Sequence, residues 1–279
     1  MIQSISKEML YAFQTHLSES EKADATISKY MRDIAAFATF AGETPLNKSL
    51  ILAYKTHLAN HYAYSSANSM LAALNVFLRF MNCPHLCVQP LRIQKKIYCA
   101  QEQELTHTEY TRLLATAKKH GNERLYLLLQ TICGCGIRVS ELAYITVNAL
   151  HIGQATVHCK GKQRTVFIVS ALRRHLLEYA ASRGITDGAV FVTKSGKPLD
   201  RSNIWRDMKS LCDAADVLPQ KVFPHNLRHL FARTFYDMDK DIATLADILG
   251  HTSINTTRLY IMSTGAQHQQ RLETMHLVV

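Results

Sequence analysis

Six residues whose types suit phosphoryl chemistry are scattered between positions 138 and 260 of the chain. In "HTSINTTRLY" a histidine, His251, is followed nine positions later by Tyr260. In "FPHNLRHLFARTF" His225 and Arg228 stand three apart, so a helix would carry them on one face. Arg138 lies between the apolar residues Ile137 and Val139 in "GCGIRVSELAYI", and Lys160 lies in "HCKGKQR". A tyrosine can be a nucleophile, but its phenol has a pKa near ~10 and needs cationic neighbours and a base. Two arginines could grip the non-bridging oxygens of one phosphate, each through a planar fork of N–H donors.

Five of these residues, all but His251, also have an ordinary reading. Tyr260 could be core filling. Ile254 and Ile261, seven apart, would mark the buried side of its helix, and Tyr260 lies about 100° from Ile261, off that side. His225 and Arg228 could be a surface pair. Against that, Pro224 suits the first position of a helix, whose exposed N–H groups favour an anion. The stripe Leu227, Leu230, Phe231 and Phe235 also leaves the pair to one side. Arg138 could form a salt bridge with Glu141, three residues on. Lys160 could be a solvated turn lysine.

The elements that would position these groups follow from periodicity. Helices are expected at about 107–119, 122–133 and 138–145. Thr106 and Glu109 form a capping-box signature at the start of the first. "QATVHCKGKQRTVFIV" alternates about a Lys-Gly-Lys turn and predicts a β-hairpin, and "AVFVT" at 189–193 predicts a third strand. "SNIWRDMKSLCDAA", "PHNLRHLFARTFYDM" and "DIATLADILG" read as helices. Gly250 would end the last, and Ser253 would cap the helix that carries Tyr260. Ahead of this region, residues 1–82 read as four helices with apolar stripes, among them Ile27, Met31, Ile34, Phe37 and Met70, Leu71, Leu74, Phe77. Pro84, Pro90 and the basic "RIQKK" mark 83–104 as a linker.

The chain has 279 residues, enough for about two domains. Its formal charge of +10 suits a polyanionic partner, nucleic acid first, and equally a merely solvated basic surface. No apolar run approaches the ~20 residues of a membrane span, and "MIQSISKEML" lacks the pattern of a signal peptide. Seven cysteines, an odd number, argue against a disulfide framework and for a reducing compartment. Cys83, His85, Cys87 and Cys99 form a loose group that a zinc ion could use. With the fourth position poorly placed, chance clustering is the better reading, and no metal is expected.

Taken together, "GIRVSEL", "CKGKQR", "HNLRH", "LGH" and a tyrosine nine residues after that histidine resemble the tyrosine recombinase (phage integrase) family, of the Xer and Cre type. The resemblance extends to "TISKYMRDIAAFATF", which is similar to the family's helical core-binding domain. It implies a mainly α fold with a small antiparallel sheet. An N-terminal SAM-like core-binding bundle would span 1–82, a linker 83–104, and a catalytic domain with a C-terminal tail helix 105–279. It implies that Arg138, Lys160, His225, Arg228 and His251 bind the scissile phosphate, that Tyr260 is the nucleophile, and that Glu141 braces the site. The turn "KGKQR" is one residue shorter than the common Lys-Gly-x-Lys-x-Arg, so Lys162 competes with Lys160 for the lysine's role. The implied partners are double-stranded DNA and a homo-tetramer on two sites, built by the tail after Tyr260 docking on a neighbour. No membrane partner and no cofactor, neither ATP nor metal, are implied, and the setting is cytoplasmic. No additional arm-binding domain is expected at the N-terminus. The alternatives are a type IB topoisomerase-like nicking-closing enzyme and a catalytically silent DNA-binding protein.

Overall fold

The computed structural model describes residues 5–93, 104–159, 162–193, 195–261 and 273–275. It divides the chain into two compact units, Met1–Lys95 and Lys96–Val279.

The first unit is a helical bundle. Its helices are α1 (Lys7–Glu19), α2 (Asp24–Ala41), α3 (Lys48–His61) and α4 (Tyr64–Phe80). Short polar side chains start two of them, because they can accept from orphan backbone amides of the first turn. Ser6 accepts from the Met9 amide and Asn47 from the Leu50 amide. The predicted stripes face inward: Ile34, Phe37, Leu74 and Phe77 are fully buried, and Phe13 meets Phe77 edge-on with ring centroids 5.1 Å apart. The segment expected to begin a linker instead packs on α4. Leu86 and Val88 are buried, the Asn75 amide side chain bonds both backbone groups of Val88, and Asn68 does the same for Leu91. Two asparagines on the helix surface satisfy an extended chain that has no secondary structure of its own. Cys83 and Cys87 are free thiols whose sulfurs face the Met81 and Asn75 carbonyls. Cys99 lies outside the described residues, among which no group of three or more potential ligands is placed to hold a metal.

The second unit is mainly helical around one antiparallel hairpin. Its first elements are α5 (His107–Lys119), α6 (Glu123–Cys135) and α7 (Val147–Ile152). The hairpin β1 (Gln154–Cys159) and β2 (Lys162–Phe167) follows, with Gln154 opposite Phe167 and Val157 opposite Arg164. Then come α8 (Ser170–Ser182), α9 (Arg201–Lys209), α10 (Cys212–Ala215), α11 (Pro224–Asp239), α12 (Ile242–Leu249) and α13 (Ile254–Tyr260). The Thr106–Glu109 capping box forms.

Two expectations are corrected, and one helix was not foreseen. Residues 138–145 do not form an α-helix; Val139–Tyr144 is a short 3-10 helix. It is confined between the left-handed cap Gly136 of α6 and the Thr146 cap of α7, and so short a span accommodates the tighter winding. Residues 189–193 do not form a third strand in the sheet. They make only isolated bridges, Thr146 to Ala189 and Val192 to Pro198, because the chain folds back on itself after Thr193. Helix α8 had no counterpart in the sequence reading, although Leu172, Leu176, Tyr179 and Ala180 are spaced for one buried face. No helix among the described residues is long and apolar enough to cross a membrane.

Candidate active site

Helix α11 begins with Pro224 at its first position, where the missing N–H costs no hydrogen bond. Leu227 and Leu230 pin it to the main core of the second unit, which turns His225, Arg228 and His229 together toward α12 and α13. Arg228 is fully buried. Its guanidinium donates to the Gly136 carbonyl at 2.5 Å, to the Leu249 carbonyl at 2.6 Å, and to His251 Nε2 at 3.1 Å. Burial and the nearby Arg138 push its pKa down to about 10, which leaves it cationic at neutral pH.

Since a guanidinium has no acceptor, Nε2 of His251 must accept from Arg228. The other nitrogen, Nδ1, stands 2.9 Å from the hydroxyl of the buried Thr257. A neutral ring protonated at Nδ1 satisfies both contacts. Burial and the charges of Arg228 and Arg138 favour that neutral form, holding the His251 pKa down at about 4. His225, on the exposed side of α11, is also shifted below its ordinary range, by partial desolvation and then by Arg228, Arg138 and Arg201.

Arg138 is the N-cap of the 3-10 helix. The salt bridge weighed as its ordinary explanation is present: its guanidinium meets Glu141 at 2.9 Å while Glu141 also accepts from the Arg138 amide at 2.8 Å. The same buried carboxylate pairs with Arg164 at 2.6 Å and lies 3.9 Å from Arg228. Burial alone would raise the Glu141 pKa. The Arg138 amide and the charges of Arg164 and Arg138 outweigh it, and the carboxyl sits below its usual range. Three guanidinium groups against one carboxylate leave this corner positive, beside a cleft of about 200 Å³ lined by Arg138, Arg164, Asp247, Gly250, His251 and Thr252.

Tyr260 closes the site and corrects an expectation. It lies on the buried side of α13, only 6% exposed, in a small cluster with Ala232, Leu245 and Leu249, whereas Ile254 is 48% exposed. The buried face of this short helix is marked by Thr257 and Tyr260, three apart, so the seven-residue spacing of Ile254 and Ile261 misled. Ser253 occupies the N-cap but makes no side-chain cap bond. The Tyr260 ring is core, and it is also ringed by site residues. Its centroid lies 5.1 Å from that of His225, 4.8 Å from His251 and 4.1 Å from His229, and the Arg228 guanidinium carbon is 5.9 Å away.

The structure therefore brings Arg138, His225, Arg228, His251 and Tyr260 into one site. Lys160 lies outside the described residues, and Lys162 begins β2. Sequence reasoning missed two members. His229 stacks on Tyr260 at an interplanar angle of 27°; burial and then His225 hold its pKa down to about 3, so it is neutral. Its signal was its place one turn after His225. Arg164 is the other, and strand alternation was its signal: it shares the inward face of β2 with Val166 and lies opposite the buried Val157.

Residues 103–267 match the Phage integrase family. The tyrosine recombinase XerA of Pyrococcus furiosus is 27% identical over 284 residues, which cover 99% of this chain and 96% of that protein. Among solved structures, a lambda integrase(75-356) dimer bound to a COC' core site is similar with a TM-score of 0.74 at 18% identity, over 93% of this chain and 96% of that one. A lambda integrase tetramer bound to a Holliday junction gives a TM-score of 0.72 at 18% identity, over 91% of this chain and 76% of that one. At such identities the two structures speak for the fold alone.

Proposed function

Since the chain belongs to the phage integrase family, the tyrosine recombinases, we propose that it cleaves and rejoins DNA at specific sites through a 3′-phosphotyrosyl link on Tyr260. The phenol oxygen attacks the scissile phosphorus, the bond from phosphorus to the 5′-oxygen breaks, and a 5′-hydroxyl leaves. His225, neutral in the free protein, takes the phenol proton, and Lys160 protonates the departing oxygen. The covalent link conserves the phosphodiester energy, so a 5′-hydroxyl from a second duplex can reverse the step and complete an exchange.

Charge on the phosphoryl oxygens is met by Arg138, Arg228 and His251 in a preformed, partly dry corner, where such donors are worth most. The Arg138 guanidinium is 30% exposed and holds the Gly250 carbonyl only at 3.5 Å, so it can turn to a phosphate oxygen. Arg228 keeps Nε, which is buried and without a partner among the described residues. A bound phosphate raises the pKa of His251. The single observation that carries this reading is the convergence of His225, Arg228 and His251 on one tyrosine, with Arg138 lining the same cleft as His251.

The two units bind duplex DNA, and the tail beyond Tyr260, which lies mostly outside the described residues, docks on a neighbouring protomer in a homo-tetramer on two sites. The lambda integrase tetramer on a Holliday junction supports that assembly by analogy. The free thiols Cys83, Cys87, Cys133, Cys135 and Cys212 suit the reducing cytoplasm. To test the reading, DNA trapped covalently on the chain in cells is sequenced, and a nicked suicide duplex is built on that site. Wild type is expected to form a covalent adduct, and Tyr260→Phe to bind the duplex without one. No adduct with wild type, or an adduct that survives in Tyr260→Phe, sinks the assignment.

A further inference from the structure

Arg164 has no role in the mechanism above, yet it is built into the site more tightly than Arg138. It projects from the inward face of β2 and is 13% exposed. A buried arginine is an expensive way to fill a core, and an apolar residue of similar volume often serves as well. Both of its terminal nitrogens are committed, and to different parts of the site. One donates to Glu141 Oε2 at 2.6 Å, the same oxygen that accepts from the Arg138 amide. The other donates to the Ile248 carbonyl at 2.6 Å.

That second contact belongs to a pattern. Helix α12 ends at Gly250, and its last carbonyls carry the negative end of the helix. Ile248, Leu249 and Gly250 each receive one guanidinium: Arg164, Arg228 and Arg138 in turn. The next residue is His251. The three arginines also share Glu141. Of the three links to α12, the one from Arg138 is the longest, and Arg138 is the most exposed of the three side chains. When a phosphate draws Arg138 away from Gly250, Arg164 and Arg228 still hold the carboxyl end of α12. Gly250 fits this arrangement twice over. Its φ of +64° is left-handed, and a Cβ there would overlap the Arg164 side chain.

We propose that Arg164 is a positioning residue of the phosphate site, tying the hairpin to Glu141 and to the end of α12 so that Arg138 and His251 stay in one frame. It rests on the recombinase reading above. Because its donors point inward, it acts on the rate of the chemical step and not on the affinity for DNA.

The test uses the full chain and the suicide duplex built on the trapped site. Wild type must form adduct; if it does not, the recombinase reading falls and this proposal with it. Where wild type reacts, Arg164→Met is expected to bind the duplex within about three-fold of wild type at saturating protein while its single-turnover adduct rate falls about 100-fold, the scale of a slight misplacement of catalytic groups. Arg164→Lys keeps the charge but reaches only one of the two acceptors, so its rate is expected about ten-fold below wild type. In the DNA-free protein, the His251 pKa, read by NMR, moves up in Arg164→Met as a neighbouring cation is lost. An adduct rate for Arg164→Met within about three-fold of wild type overturns the proposal, as does an equal loss of affinity and rate in both variants. If melting shows that Arg164→Met does not fold, Arg164→Lys decides: a slowed adduct with unchanged affinity supports the role, and a wild-type rate removes it.

Discussion

The two units bury different things. The first fills its interior with rings and aliphatic chains: Phe13, Ile34, Phe37, Leu74 and Phe77 are all inaccessible, and the one buried charge among its described residues, Asp33, is paired with Lys29. The second has an apolar core of the same kind but places, at one edge of it, a fully buried arginine and a carboxylate that is 1% exposed. Burying charge weakens a fold unless each group is paired and hydrogen-bonded. The first unit is thus shaped for stability, while the site edge of the second keeps unsatisfied cationic potential that an anion can use.

The contrast can be broken in several ways. The largest effect is expected from Tyr260→Phe, which removes a hydroxyl but almost none of the ring's packing. Adduct formation on the suicide duplex is lost entirely, while the thermal transition stays close to wild type; a large fall in melting temperature would mean that the residue is chiefly core. In the first unit, Phe77→Ala removes an edge-on aromatic contact and leaves a cavity costing ~3–5 kcal/mol. Far-UV circular dichroism should show an earlier transition. Fluorescence of the single tryptophan, Trp205, which lies in α9 of the second unit, should not. Coincident shifts of the two signals would show that the units do not melt separately.

Arg228→Lys keeps a positive charge but loses the planar fork that spans the Gly136 and Leu249 carbonyls and His251. The expected loss is ~3 kcal/mol of transition-state stabilisation, roughly 100-fold in single-turnover rate. An unchanged rate would remove Arg228 from the phosphate site. A smaller effect separates the units by pH. The folded-state pKa values of His251, about 4, and His229, about 3, lie below the ordinary ~6.5. The folded state therefore binds fewer of these protons than the unfolded chain. The stabilisation is fully present above pH ~6.5 and is lost as pH falls from there toward about 4 for His251 and about 3 for His229. Glu141, also lowered, adds a further loss below the carboxylate range. The Trp205-reported transition should fall on acidification between those limits, and replacing His229 with Phe should flatten part of that slope while keeping the stack on Tyr260.

How much was legible in advance varies with the physical origin of each feature. The bundle helices were, because an apolar stripe at helical spacing needs no partner to be seen: α2 and α4 carry the stripes through Ile34 and Phe37 and through Leu74 and Phe77. The hairpin was, because alternation about Lys-Gly-Lys is local. The third strand was misread because a β-propensity run cannot say whether a neighbour will be there to pair with it. Tyr260 was placed on the wrong side of its helix for a related reason: seven residues carry too little periodicity to fix which face is buried, and α11 and α12 decide it.

By itself the sequence determined which candidate groups are present and in what order, because an arginine, a histidine, a second arginine, a second histidine and a tyrosine at those spacings are a chemical inventory that needs no coordinates. Only the tertiary structure decided their states. His251 is neutral with its proton on Nδ1 because Arg228 donates to its other nitrogen across 23 positions of chain, and Glu141 stays ionised because guanidinium groups from separate elements surround it. Protonation depends on distance and solvent exclusion through space, and those are fixed only once α11, α12, α13 and the hairpin have closed on one another.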